Sequence, residues 1–568
     1  MTTKANSLIF LVHSMSKSEK RIFRSGRKTA DYVVLFDMIC KEGIVSSQEL
    51  KLGYEKRFGT TSFNVAVTYL YETLLDVLLA LRKDQDSDYR LFNKILRARI
   101  LFEKGMYDEA LEALEKVKQE AERYENQIVL MYASRMELEY LLFLNMPDIS
   151  EAELVKKHAL INETLKKNRI IYEHSSLYEL LMHRIIYKGN ARSREEKEYM
   201  NDLVLAEMSL STSSKNSLEA YKLHQMFQSR YLMSIGDSRS AFRSFRELNN
   251  LFENNPQFWT NPPFYYVSVL QGILDNLRST RNYDKMPYFI ERLRKIENDS
   301  ARFKIHVATL VFLYELFILL DTGDFAAAKQ HLDLHQNSIL MKKEQMDLFR
   351  RAEISLYTTL TYIGLGNWKQ ARKALNYEII DDKKIFTFST YRIIRLVSLI
   401  IFYELHETEY LHTKIRLMKR QVLKVRKMYR IELLLLDFLS NDKWQLASSD
   451  KRRKMQEKLK SELEDIRNDV FESQLLRYFD FTAWIESKID KTPLAKILSA
   501  RYAPRSAGEG AQHSKRGGGR VRRRLTTRYA GSPPPAKHNP TGECNRRASG
   551  RTKKIRGRAG GRSGGAGQ

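Results

Sequence analysis

His406 and His412 in the stretch HETEYLH are the first residues of this sequence whose types could do chemistry, because two imidazoles around an acid resemble the start of a zinc-hydrolase helix. They stand six positions apart, whereas two ligands on one helical face need a spacing of four, so no zinc site is expected there. SGRKT at 25–29 resembles the end of a phosphate-binding loop, but it has neither the leading glycine nor a strand before it. GLGNWK, with Gly364 and Gly366, lacks the third glycine of a dinucleotide fingerprint and follows a helical pattern. Of the two cysteines, Cys40 falls on the apolar face of a helix and reads as a core thiol, and no serine sits in a Gly-x-Ser-x-Gly elbow. The expectation is a protein without catalytic residues, cofactor site or metal-ligand set.

The strongest surface signal is basic. TKIRLMKRQVLKVRKMYR, 413–430, has eight Lys and Arg and no acid, with Ile415, Leu417, Met418, Val422, Leu423 and Val425 interleaved. One reading is an amphipathic helix with a core face and a solvated basic face. The other is a docking strip for an acidic peptide or for nucleic acid, with Lys419, Arg420, Lys424 and Arg426 as the candidate contacts.

The elements that would carry such residues are helices. With 25 Gly and 11 Pro in 568 residues, turns are too few for a sheet protein of this length. Cys40 and Cys544 cannot supply a disulfide framework within one chain, so a reducing, cytoplasmic setting is expected. SLIFLVHSM near the start is too short and lacks the cleavage signature of a secretory signal. No segment offers eighteen uncharged apolar residues in a row, so no membrane span is expected.

Four segments share one pattern: a glycine, usually an aromatic two positions later, Ala at five and a large apolar residue at nine. The quartets are Gly105/Tyr107/Ala110/Leu114, Gly236/Ser238/Ala241/Phe245, Gly323/Phe325/Ala328/Leu332 and Gly366/Trp368/Ala371/Leu375. A glycine past a helix end takes the left-handed conformation that closes the last turn, and the small and large residues then share one face of the next helix. A degenerate copy runs through Arg281, Tyr283, Met286 and Ile290. Gly189 lies two periods after Gly105, with a weak copy expected at NMPDISEAEL, and the spacing is about 42–47 residues overall.

These quartets resemble the second half of the tetratricopeptide motif, over roughly residues 91–445, with a period longer than that family's usual one. The resemblance implies an all-α solenoid of helical hairpins whose groove holds a peptide or helix of a partner protein. Residues 1–90 are expected to form a helical cap, with a capping box at Ser16 and Glu19 and apolar faces through Tyr32, Leu35, Phe36, Ile39 and Cys40 and through Phe63, Val67, Leu70, Leu74, Leu78 and Leu81. A helix-turn-helix reading of this block would use Thr61, Ser62 and Asn64, but no Lys or Arg follows before Arg82.

Residues 446–495 read as closing helices, with Trp484 an anchor beside the stripe Leu475, Tyr478, Phe481 and Ile485. From 496 to 568 the composition turns to Arg, Gly, Ala and Pro and predicts disorder. From Arg501 onward 18 Lys and Arg face only Glu509 and Glu543, which places +16 of the +27 net charge there. That tail reads either as a basic arm for nucleic acid or as a join to sequence of another origin, since the body favours residues of AT-rich codons and the tail those of GC-rich ones. The function expected is a non-enzymatic scaffold that binds protein; the alternative is a transcriptional or RNA-related regulator touching nucleic acid through the N-terminal helices, the 413–430 strip or the tail.

Overall fold

Among the described residues, eight helix-to-helix turns carry a residue with positive φ and share one pair of backbone hydrogen bonds. At Gly323 (φ 82°) the glycine N–H reaches Leu320 O at 3.2 Å and the next N–H reaches Leu319 O at 2.9 Å. The same pair closes the turns at Gly105, Glu125, Asn145, Gly236, Arg281, Gly366 and His406. This geometry caps the carbonyls that a helix end leaves unpaired. The residue after the left-handed one then starts the next helix: Asp237, Asp324 and Asn367 accept from the backbone N–H three positions on. One helix stops and another starts within two residues.

The computed structural model describes residues 4–502, except 26–30, 42, 44–45, 60–62, 84–86, 213–216, 257–262, 298–299, 376–388, 426–428 and 441–448. Every regular element among the described residues is helical. The N-terminal block holds α1 (Lys4–Ser14), α2 (Lys17–Arg24), α3 (Asp31–Lys41), α4 (Ser47–Phe58) and α5 (Phe63–Arg82). The hairpins that follow use α6 (Ser87–Glu103), α7 (Tyr107–Arg123), α8 (Gln127–Phe143), α9 (Glu151–Lys188), α10 (Arg194–Glu198), α11 (Asn201–Leu210), α12 (Leu218–Ser234) and α13 (Ser238–Asn254). They continue through α14 (Phe264–Ser279), α15 (Met286–Arg294), α16 (Ala301–Thr322), α17 (Phe325–Leu334), α18 (Leu348–Gly364) and α19 (Trp368–Ala374). The chain then forms α20 (Ser389–Glu404), α21 (Thr408–Val425), α22 (Arg430–Ser440), α23 (Ser449–Asn468), α24 (Val470–Leu476), α25 (Phe481–Ile489) and α26 (Leu494–Tyr502). The result is an all-α solenoid of antiparallel hairpins. The tail, Arg505–Gln568, forms a separate unit and lies outside the described residues, as does the reading of it as a nucleic-acid arm.

The expected packing residues are buried. Ala110, Leu114, Ala241, Phe245, Ala328, Leu332, Ala371 and Leu375 all lie in the interior, as do Tyr283, Met286 and Ile290 of the degenerate copy. Arg281 adopts the left-handed conformation without a glycine (φ 59°). Phe325, the aromatic two positions after Gly323, lays its ring against Gly364 at the end of α18, where a Cβ would fall well inside contact distance. Gly364 therefore serves close packing.

The N-terminal block has a core of its own, in which Leu35, Phe36, Ile39, Leu70 and Leu74 are buried and Tyr32 and Cys40 pack at the edge. Ser16 and Glu19 form the expected capping box. The helix-turn-helix reading falls partly on Thr61 and Ser62, outside the described residues. Two helical stretches, Phe63–Arg82 and Arg302–Thr322, are long and apolar enough to cross a membrane by length and composition, although neither is an uncharged run of eighteen residues. Both contribute their apolar faces to cores here, and the second is 61% buried inside the protein.

Two features depart from the even beat. The turn expected near NMPDISEAEL forms at Asn145 (φ 61°), but from Glu151 to Lys188 the chain is one continuous helix where the period asks for two. No Gly or Pro interrupts 151–188, so nothing ends the first helix. The second departure is at the C-terminus. Residues 446–495 do more than close the last hairpin, because they run back over the turns of earlier ones.

Val470 of α24 abuts Gly236, and Gln474 Nε2 donates to Ala191 O at 3.1 Å. Glu472 accepts from the N–H groups of Arg430 (2.7 Å) and Ile431 (3.1 Å), capping α22 from outside. Trp484 packs edge-on against Tyr403 and Phe438, and Lys488 pairs with Glu404. In α26, Ala495 and Leu498 press on Gly323, while Tyr502 lies under the Arg281 guanidinium at 4.2 Å. Beneath them a buried network joins three hairpins: Arg278 holds Asp321 through two hydrogen bonds (2.8 and 2.9 Å) and donates to Tyr357 Oη, while Tyr283 Oη donates to Asp321.

Two stability series test this arrangement. Gly105→Ala and Gly323→Ala both place a Cβ at positive φ, at a cost of about 1–2 kcal/mol. Only at Gly323 does the new atom also meet α26, so urea unfolding should show a further loss of about 1–3 kcal/mol for that variant. In the second series, Asp321→Ala leaves Arg278 buried and unpaired and should cost about 3–5 kcal/mol. Asp333→Ala, which breaks the exposed pair with Lys329, should cost less than about 1 kcal/mol.

Candidate functional site

The residues that first suggested chemistry are placed by hairpin geometry. His406 is the left-handed residue between α20 and α21 (φ 58°), and Leu411 and Ile415, five and nine positions later, are buried. HETEYLH is thus one more copy of the hairpin turn, with His in the glycine position. Its His406 and His412 form no ligand pair.

The basic strip lies on α21. Leu411, Ile415 and Met418 make its buried face, while Lys414, Arg416 and Arg420 are exposed. Lys419 is engaged by Asp437 at 2.9 Å, so one of the four candidate contacts already has a partner within the chain. The side chain of Lys424 and the whole of Arg426 lie outside the described residues.

A second surface is apolar, and it escaped the sequence reading because its residues share helices with ordinary core positions. On α6, Leu91, Ile95 and Ala98 are buried, and a different face carries Phe92, Leu96 and Ile100, which are 52%, 59% and 55% exposed. On α8, Ile128 and Tyr132 are likewise exposed. The two helices are locked side by side by Phe102 stacked on Tyr140 at 3.7 Å. These five side chains are exposed apolar groups on two neighbouring helices. The face of α14, α16 and α18 is different, since there the C-terminal helices take the place of any partner.

The third site is polar and largely buried, and none of its residues was singled out in the sequence. His174 of α9, Glu207 of α11 and His224 of α12 converge, with one ligand atom from each within 4.8 Å of the others. His174 Nδ1 stands 3.0 Å from Glu207 Oε1, and His224 Nδ1 stands 2.7 Å from the same oxygen. His174 and Glu207 are completely buried; His224 keeps 15% of its side chain exposed. Burial alone would raise the Glu207 carboxyl, yet the hydrogen bonds and charge of the two imidazoles hold it below its ordinary value.

The three residues stand 33 and 17 positions apart on three helices, so no local motif announces them. A signal was present only in retrospect, as a histidine on each of two helices facing the interior.

No protein-family model matches this chain, and no curated protein matches it.

Proposed function

We propose that this protein is a non-enzymatic scaffold that binds a helix or peptide of another protein. The observation that carries this reading is the stripe of Phe92, Leu96 and Ile100 on α6 with Ile128 and Tyr132 on α8. A hairpin solenoid presents rigid helix faces, and an amphipathic helix can lay its apolar side along such a stripe at matching spacing. The tetratricopeptide-like turns build the frame that holds this surface and are not themselves contacts. The partner site is placed here because α24, α25 and α26 occupy the later hairpins.

The test is affinity capture from an extract of the protein's own cell, with wild type and a Phe92→Glu/Leu96→Glu variant as baits. Both substituted side chains are exposed, so circular dichroism of the variant should be unchanged. Proteins retained by wild type and lost by the variant are the expected result. Identical capture by both baits counts against the stripe.

A second reading, contact with nucleic acid, is supported by the exposed Lys414, Arg416 and Arg420 on an acid-free segment. It predicts binding to a generic duplex that falls steeply with salt. Replacing Lys419, Arg420, Lys424 and Arg426 with Glu should then abolish that binding in an electrophoretic shift assay, whereas the scaffold reading expects no duplex binding by either protein that depends on these four residues.

A further inference from the structure

We propose that His174, Glu207 and His224 form a divalent transition-metal site that cross-links α9 to α11 and α12. The first ground is geometry. Ligands about 2.0–2.1 Å from a tetrahedral ion stand roughly 3.3 Å apart; the two imidazole-to-carboxylate separations are 3.0 and 2.7 Å, and the three ligand atoms all lie within 4.8 Å of one another. Three ligand atoms from three helices are therefore already gathered around one position.

The second ground is charge. Glu207 is fully buried, and its carboxylate oxygens lie against the His174 and His224 rings. A buried carboxylate is costly unless a cation or a set of hydrogen bonds balances it. A divalent ion coordinated by two neutral imidazoles through Nδ1 and by the carboxylate supplies that balance. His174 Nε2 has no hydrogen-bond partner, so the whole polar engagement of this ring is on the Glu207 side.

The third ground is where the cluster sits. Along residues 151–187 of α9, only Thr164, His174 and Leu181 are buried. The adjoining apolar core is small, consisting of Leu181, Met200, Leu203, Phe227 and Tyr231. Where apolar burial is thin, a metal cross-link is an effective substitute.

The donor set selects the metal. Two nitrogens and one oxygen suit zinc and its neighbours, and exclude the all-oxygen preference of calcium and magnesium. The partly exposed edge of His224 provides the entry path and leaves room for a water as fourth ligand.

Cobalt(II) is the probe, because its visible absorption reports coordination directly. The full-length protein, stripped with chelator, is titrated with cobalt and then with zinc, alongside His224→Gln and Glu207→Gln variants whose folding is checked by circular dichroism. The expected result is one cobalt per chain with a visible absorption band, displaced by zinc. Each variant should weaken binding by roughly tenfold or more, a loss at least as large as that from altering groups behind a ligand. Zinc should raise the melting temperature of wild type and leave that of His224→Gln unchanged.

Absence of a cobalt band in wild type overturns the proposal. So does a band of equal strength in folded His224→Gln, which would assign the ion to other residues such as His331 of α17 and His335 just past its end.

Discussion

The fold depends on a two-residue switch between helices. A left-handed residue closes one helix by returning two N–H groups to its last carbonyls, and the following residue caps the next helix with its side chain or backbone. Because both ends are satisfied within so short a span, successive helices are forced antiparallel and close together. Ala five positions on then permits the approach, and the large apolar residue nine positions on fills what remains. Phe325 lying on Gly364 shows that the register of one hairpin on the next is fixed by shape as well as by area.

Where the switch is missing, the architecture changes. The uninterrupted α9 has no stop signal, and it buries little along its length. Beside it lie a buried histidine, carboxylate, histidine cluster and a loop carbonyl at Ala191 held from far along the chain by Gln474. Polar contacts of high specificity thus stand where the repeated apolar ridge is absent. The C-terminal helices extend the same principle, since Glu472 caps α22 and Arg501 reaches Asp480 at 2.8 Å.

Local physics was legible in the sequence and distant convergence was not. Glycine stops, the Ser16 capping box and the inward faces of α3 and α5 follow from spacing within a few turns, and they stand where the spacing put them. Arg281 was readable because its neighbours kept the pattern, although its own side chain did not. His406 was set aside as a metal ligand on spacing, but its place as the turn residue of another hairpin was missed because a histidine stands where the pattern has glycine. A search for strictly uncharged runs passes over a helix such as 302–322, which carries a few charges and is 61% buried inside the protein. His174, Glu207 and His224 come from three helices, and the return of 470–502 over Gly236, Arg281 and Gly323 depends on the solenoid already being built. No pattern along the chain encodes either.

That return path alters how the molecule comes apart. An array of hairpins that touch only their neighbours unfolds piecemeal, with each unit's free energy set by its own contacts and those beside it. Residues 470–502 bind the turns at Gly236, Arg281 and Gly323 and the end of α20 simultaneously, so none of these hairpins can open without releasing the others. The later part of the solenoid is thereby a single cooperative unit, whereas α6 to α8, with a separate small core, retain the graded local opening of an ordinary array. Of these two regions, the one that opens hairpin by hairpin is the one that also displays Phe92, Leu96 and Ile100 to solvent.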